Sequence, residues 1–334
     1  MRILIISDAW HPQVNGVVRT LSMLRQELTD LGHLTEVIGP DRFRTVPMPT
    51  YRSIQLAIAP ALRLMPMIEA FRPEALHIAT EGPLGWAARR WALRRGVAFT
   101  TSFHTRFPEY LHARARIPIP LGYAWLRRFH GRAHGTMVAA GSMRRELAGR
   151  GFRNLLPWSR GVDLVRFRPG TAEDWPYKRP IFLYVGRLAV EKNLGDFLSL
   201  DLPGTKVVVG DGPQRAALQA AFPQARFAGE RHGPALAAAY AGADVFVFPS
   251  ITDTFGLVLL ESLACGTPIA ARPVTGPADI LAGARPGVGA LDTDLRAAAL
   301  QALHGDRAAC RAHAERFSWR ACAELFFHNL AKPA

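Results

Sequence analysis

Cysteine is scarce in this chain. Three thiols in 334 residues (Cys265, Cys310 and Cys322) stand at spacings that match neither a metal knuckle nor a redox pair. A disulfide scaffold is excluded, and a reducing cytosolic setting is the simplest expectation. Long apolar runs are missing too: no window of about 18 apolar residues occurs, which argues against a membrane-spanning helix. The opening MRILIISDAW holds a short apolar run before Asp8, which reads as a first strand rather than a secretory leader. Both strand-to-helix turns where a dinucleotide would sit, SDAWHPQVNGVVRT and VGRLAVEKN, lack G-x-G-x-x-G, so a dehydrogenase is disfavoured. No G-x-S-x-G elbow is present, so serine-triad chemistry is not suggested. Lysine is the rarest basic residue, with four in the chain.

Arginine, by contrast, is abundant and unevenly placed. Residues 1–160 hold 23 Arg or Lys against 10 Asp or Glu, whereas residues 161–334 hold 18 against 17, so nearly all of the net +14 lies in the first half. Compositional bias explains arginine in place of lysine but not this asymmetry, which points to an anionic partner for the first half: a membrane surface, a nucleic acid or an acidic substrate.

Short β-rich runs alternate with helical patterns along the whole chain. The runs are RILIIS, HLTEVIG, EALHIAT, AFTTSFH and GTMVAAG, then IFLYVG, TKVVVG, DVFVFPS and TPIAARPV. Helices are predicted over 17–31, 84–95, 191–200, 213–222 and 255–265. Runs this continuously apolar belong to parallel sheets covered on both faces. The pattern restarts after residues 155–180, a Pro-, Gly- and Trp-rich segment that reads as an interdomain link. At this length two domains of roughly 150 residues are expected. The predicted architecture is α/β, two doubly wound domains with a cleft between them, and ligands belong at the carboxyl ends of the strands.

Four stretches lie at such ends. LYVGRLAVEKN places Arg187, a planar donor fork, and Lys192, a compact cation, just after a strand; they suit a diphosphate or are two solvated cations. VVVGDGP is a glycine turn of a kind common to α/β proteins and reads as structural. TSFHTRFPEY puts His104 at a strand end, either a ligand-facing residue or a satisfied core histidine. PSITDTFGLVLLESLACG carries Asp253 before a helix expected to begin near Phe255, and Glu261 two turns inside it. The amides of Phe255, Gly256, Leu257 and Val258 would then be donors at a positive dipole end, with Gly256 permitting close approach. Asp253 as a plain helix cap is the alternative. Glu261, set among leucines, needs partners that ligand hydroxyls would supply.

TDTFGLVLLE, VGRLAVEKN, SRGVDLVRFRP and PQVNGVVRT, in that arrangement over nearly the full chain, resemble the retaining family 4 glycosyltransferases. That resemblance implies the GT-B fold, two Rossmann-like doubly wound domains facing a cleft: 1–160 for the acceptor, 161–316 for the nucleotide sugar, and a closing helix in 317–334 that crosses back. HIATEGPLG and TTSFHTRFPEY resemble, more narrowly, bacterial enzymes that glycosylate membrane lipids, such as diacylglycerol glycosyltransferases, sulfoquinovosyltransferases and some mannosyltransferases.

The resemblance also implies roles. Arg187 and Lys192 neutralise the donor diphosphate and Gly16 closes over it. Glu261 holds the ribose hydroxyls. Asp253 touches the transferred sugar beside the amides of Gly256, Leu257 and Val258, and His104 lies near the reacting carbon as a transition-state stabiliser, no protein base being required. Asp253 is a departure, since the family carries Glu there. No metal and no cofactor are implied, the nucleotide sugar being a co-substrate, with UDP-sugars favoured and GDP-mannose as the alternative.

Residues 113–135 mix arginines with Tyr123, Trp125 and Phe129 and read as an interfacial segment or, alternatively, as a solvated helix with core aromatics. The resulting expectation is a cytoplasmic enzyme on the inner face of the cell membrane, with a lipid acceptor, an anionic membrane surface as partner and no nucleic acid. A soluble or polysaccharide acceptor, a nucleotide-sugar epimerase and a non-catalytic nucleotide or nucleic-acid binder are the rival readings.

Overall fold

The structure is a computed structural model that describes residues 1–13, 15–48, 51–253 and 255–332, without the side chains of residues 51–54, 113 and 114. The chain divides into two compact units, Met1–Arg160 with Trp319–Ala334, and Gly161–Ser318.

Unit 1 runs β1 (Arg2–Ile6), α1 (Gly16–Asp30), β2 (Leu34–Ile38), β3 (Thr45–Met48), β4 (Tyr51–Ala57), α2 (Ala61–Phe71), β5 (Ala75–Ile78), α3 (Pro83–Arg95), β6 (Phe99–Phe103), α4 (Phe107–Ala115), α5 (Ile119–His130), β7 (Gly135–Val138), α6 (Gly141–Gly149) and β8 (Leu155–Pro157). Six strands form one parallel sheet in the order β2-β1-β5-β6-β7-β8, and β3 and β4 pair separately as an antiparallel ribbon. Strand β1 shows why the order holds: Ile3, Leu4, Ile5 and Ile6 are all fully buried, because helices cover both faces of a central parallel strand.

Unit 2 runs β9 (Ile181–Val185), α7 (Leu194–Leu198), β10 (Thr205–Val209), α8 (Arg215–Ala221), β11 (Arg226–Gly229), α9 (Gly233–Ala241), β12 (Val245–Phe248), α10 (Leu257–Ala264), β13 (Ile269–Ala271), α11 (Pro277–Ile280), β14 (Gly289–Leu291), α12 (Leu295–Ala302) and α13 (Arg307–Ala314). Its sheet is parallel in the order β11-β10-β9-β12-β13-β14, the doubly wound arrangement that reverses direction between β9 and β12. In unit 1 the reversal falls between β1 and β5.

The final helix, α14 (Trp319–Asn329), belongs to unit 1. Trp158, fully buried, donates from Nε1 to the Cys322 carbonyl at 3.2 Å, and Asn329 Nδ2 donates to the Pro157 carbonyl at 2.6 Å.

The segment 155–180 contains the boundary between the units, at Arg160 and Gly161, as expected of a link, but it is structured: it begins with the edge strand β8 and the buried Trp158, and Phe167 is buried within unit 2. Two sequence expectations need correction. The helix expected over 191–200 is broken. Val190–Lys192 forms a 3-10 turn, and Asn193 (φ 54°) takes a left-handed conformation, which asparagine tolerates, before α7 begins. The helix expected from Phe255 begins at Leu257, because Gly256 turns the chain at φ 88°.

Candidate functional site

In unit 2 the loops after β9 and β12 meet at the reversal point of the sheet. The Ser250 and Thr252 hydroxyls each donate to the Glu191 carbonyl at 3.4 Å, which ties the two loops together. Lys192 Nζ lies 2.5 Å from Asp253 Oδ1, with side chains 24% and 18% exposed. Asp253 is therefore not a helix cap. The capping position is Gly256, with no side-chain cap bond, and the Asp253 carboxylate is instead neutralised by a cation 61 residues earlier. Its second oxygen, Oδ2, is buried and has no hydrogen-bond partner among the described residues. Arg187, just after β9, is exposed, and its carbonyl accepts the Tyr184 hydroxyl at 3.0 Å.

The N-terminus of α10 is shaped by two glycines. At Gly256 the positive φ (88°) would strain any other residue, and a Cβ would lie 2.9 Å from Leu259 Cδ1. At Gly276 (φ 93°) a Cβ would sit 2.6 Å from the Phe255 carbonyl oxygen. Because the helix starts at Leu257, the amides of Phe255 and Gly256 precede it, and the first-turn donors are Leu257 and Val258. Thr254 lies outside the described residues.

Glu261, one turn further along α10, is 2% exposed. Fully buried Tyr240, on α9, donates to its Oε2 at 3.0 Å, so the carboxylate that seemed to need ligand hydroxyls already has one protein donor. The VVVGDGP turn is structural: a Cβ on Gly210 would lie 1.9 Å from the Gly186 carbonyl, and one on Gly212 2.5 Å from the Leu188 carbonyl.

Unit 1 presents a second set of strand-end residues. Asp8, after β1, is buried and accepts from the Leu84 amide (2.8 Å), the Gly85 amide (3.3 Å) and the Thr80 hydroxyl (2.9 Å), so it caps α3. Burial raises its pKa to about 6 against those three hydrogen bonds, which lower it. Gly16 opens α1 in an exposed position where a Cβ would meet nothing within 4 Å. Among the described residues no contact therefore demands glycine there. Asn15 Oδ1 accepts from the Val17 and Val18 amides, both at 3.0 Å, and caps the helix. Val14 lies outside the described residues.

His104 follows β6. Its Nε2 lies 2.8 Å from Ser102 Oγ, and its Nδ1 lies 3.2 Å from Arg160 Nη2. Burial first, then the Arg160 charge, holds its pKa well below the ordinary imidazole value. Both ring nitrogens have protein partners, so His104 must exchange Ser102 for a ligand hydroxyl if it is to touch a substrate.

Asp8, Asn15, Arg160 and Tyr240 were not singled out from the sequence. Asp8 and Asn15 carried a local signal, a carboxylate at a strand end and an N-cap type before a helix. Arg160 and Tyr240 carried none, because their partners lie 56 and 21 residues away.

The basic surface of unit 1 also differs from expectation. Of the aromatics in 113–135, Tyr123 and Phe129 are core residues and only Trp125 (41%) is exposed. Several arginines act internally: Arg106 pairs with Glu146, and Arg89 donates to the Arg128 and Phe129 carbonyls. The outward apolar surface lies instead on α2 and α3. An open groove of about 730 Å³ there is lined by Leu62, Trp86, Leu93 and the stems of Arg89, Arg90 and Arg94, with no acidic side chain. Leu62 is 85% exposed, and Trp86 packs 5.6 Å from Trp125, which extends the apolar strip onto α5. No helix among the described residues is long and apolar enough to cross a membrane.

Residues 14–166 match the model of Glycosyltransferase Family 4, and residues 179–306 match that of Glycosyl transferases group 1. A GDP-mannose-dependent alpha-mannosyltransferase of Mycobacterium tuberculosis is 33% identical over 316 residues, covering 86% of this chain and 83% of that protein. The chain belongs to the family 4 glycosyltransferases. Sulfoquinovosyl transferase from Arabidopsis thaliana is 30% identical over 83% of this chain and 60% of its own length. Among solved structures, sucrose-phosphate synthase from Thermosynechococcus elongatus aligns with a TM-score of 0.74 at 22% identity, covering 98% of this chain and 97% of that one, which shows a shared GT-B fold of two Rossmann-like domains. As a family 4 glycosyltransferase the protein uses a nucleotide-sugar donor.

Proposed function

We propose that this protein is a retaining, metal-independent hexosyltransferase that carries a sugar from a nucleoside diphosphate to a membrane lipid such as diacylglycerol. The observation that carries the donor assignment is the grouping of Arg187, Lys192, Asp253 and the N-terminus of α10 at the sheet reversal of unit 2, where doubly wound folds bind ligands. Arg187 and Lys192 take the diphosphate, and the Leu257 and Val258 amides add donors at the positive end of a helix. Lys192 meets the donor already paired with Asp253, whose second oxygen is available for a sugar hydroxyl. Glu261, oriented by Tyr240, takes the ribose hydroxyls. Gly16 lets the start of α1 approach phosphate closely, which accounts for glycine at a position that has room for a side chain.

In the reaction the bond from the anomeric carbon to the departing phosphate oxygen breaks while the acceptor hydroxyl attacks from the same face. Its proton passes to that phosphate oxygen, so configuration is retained and no protein base is needed. The cations and helix amides stabilise the charge that builds on the leaving diphosphate. From unit 1, His104 offers its N–H to the transferred sugar.

GDP-mannose is the first donor to test, since a relative at 33% identity is named for it, with UDP-sugars next. The lipid acceptor rests on the acid-free groove of α2 and α3, where exposed Leu62 and Leu93 and half-buried Trp86 lie beside the exposed Arg90 and Arg94, cations suited to anionic headgroups at the inner face of the cell membrane. Transfer from GDP-mannose, UDP-glucose, UDP-glucuronate and UDP-galactose to diacylglycerol in anionic vesicles tests the reading. One donor should yield a glycolipid with retained configuration. Transfer to soluble sugars alone would overturn the lipid acceptor, and flotation unaffected by Leu62→Asp together with Trp125→Asp would overturn the docking face.

A further inference from the structure

A buried arginine normally sits against a carboxylate, because an uncompensated charge in the interior is costly. Arg160 breaks this rule. It is 4% exposed, and among the described residues no carboxylate lies within ion-pair distance of it. Its Nη1 donates to the carbonyls of Trp158 (3.1 Å) and Ser159 (3.0 Å), and its guanidinium lies 4.0 Å from the Trp158 ring centroid. The remaining arm, Nη2, is directed at His104 Nδ1, 3.2 Å away. Burial lowers the guanidinium pKa to about 10, so it stays protonated at neutral pH.

A guanidinium has donors and no acceptor, so Nδ1 of His104 must be the acceptor and cannot carry the proton. In a neutral ring the hydrogen then resides on Nε2, 2.8 Å from Ser102 Oγ. The rest of the network agrees. Ser102 Oγ donates to the Ala79 carbonyl at 3.2 Å, which leaves its lone pairs for His104 Nε2–H and for His77 Nε2 at 3.1 Å, while His77 Nδ1 meets Thr100 Oγ1 at 2.9 Å. Every member of this network is satisfied by one proton arrangement.

We infer that Arg160 is a positioning residue that fixes His104 as the neutral Nε2–H tautomer, so that the ring serves transfer as a hydrogen-bond donor and never as a base. The inference rests on the reading that His104 acts on the transferred sugar. Its physical logic is electrostatic. An imidazolium beside a carbon that gains positive charge as the phosphate leaves would raise the barrier, whereas a neutral ring with one fixed N–H does not. The titratable and charged groups facing His104 are Arg160, His77 and His130, and each of them opposes its protonation, after burial.

The test uses the full chain labelled with 15N-histidine. Long-range 1H–15N spectra without substrate, from pH 5 to 8, should show His104 as neutral Nε2–H throughout. In Arg160→Gln the ring should populate both tautomers and begin to protonate within that range. In Arg160→Lys, which keeps a charge but not the planar fork, the tautomer should be partly restored. Turnover read in parallel should fall roughly tenfold or more in Arg160→Gln, with an acid limb that moves towards neutral pH, and recover in part in Arg160→Lys, while the donor KM changes less than about threefold. A wild-type ring that titrates near the ordinary imidazole value, or a tautomer unchanged in Arg160→Gln, overturns the inference. A large rise in donor KM with the tautomer unaltered would also overturn it, by showing that Arg160 binds the anionic donor itself. A tautomer that shifts with turnover intact would instead remove His104 from the reaction.

Discussion

Replacing Tyr240 by phenylalanine isolates a hydrogen bond that orients the buried carboxylate of Glu261. The ring keeps its packing against Phe246 and Phe167, at centroid distances of 5.6 and 6.1 Å, and the Tyr240 carbonyl still accepts the Thr267 hydroxyl. What disappears is a 3.0 Å hydrogen bond between two groups that are both at most 2% exposed. A bond to a charged group contributes about 1.5–3 kcal/mol. For a unit of this size each kcal/mol moves Tm by about 2–4 °C, so Tyr240→Phe should lower the unit 2 transition by about 3–12 °C. Hydrogen exchange in β12 and α10 separates that transition from unit 1. If Glu261 holds the ribose, the loosened carboxylate should also raise the donor KM several-fold, a cost of about 1 kcal/mol, with kcat nearly constant. In a cycle with Glu261→Gln the two substitutions should be non-additive, since each removes the same charge-assisted bond, Gln keeping only a neutral acceptor for the Tyr240 hydroxyl. Additive effects would refute the coupling. A fall in Tm with an unchanged donor KM would show the pair to be structural and would refute the ribose assignment.

Gly16→Val should leave Tm within about 1 °C, because a Cβ there meets nothing within 4 Å, yet should raise the donor KM; an unchanged KM removes Gly16 from the site. Gly210→Ala places a Cβ 1.9 Å from the Gly186 carbonyl oxygen at φ 139°, and urea unfolding should show a loss of about 2 kcal/mol or more, whereas a neutral effect would contradict the close packing of the two strand-end loops. Asp8 has a folded pKa raised from 3.8 to about 6, so the native state holds the proton more tightly than the unfolded chain between those values. Stability should therefore fall by up to about 3 kcal/mol as pH rises from 4 to 6 and recover none of it above. Relative to Asp8→Asn, wild type should lose that amount across the window in urea titrations, and a difference flat with pH would show that burial does not control this carboxyl.

Much of this protein was legible in the sequence because its information is local. The nine apolar runs each form a strand, since a strand buried on both faces must be apolar along its length. Glycines and charged residues at the strand ends marked Gly16, His104, Arg187, Lys192 and Asp253. Five strands among the described residues lie outside those runs: β8, β11 and β14 are short sheet edges paired on one side, and β3 and β4 form a separate two-stranded ribbon, so little burial is demanded of any of them. What the tertiary structure alone decided is which groups meet. Lys192 with Asp253, Tyr240 with Glu261 and Arg160 with His104 are pairs separated by 61, 21 and 56 residues. The first and third arise where parallel order brings loop ends together, the second where α9 packs on α10. Periodicity records the environment of one residue at a time, so it could predict that Glu261 was buried but not that a tyrosine hydroxyl would be there to meet it.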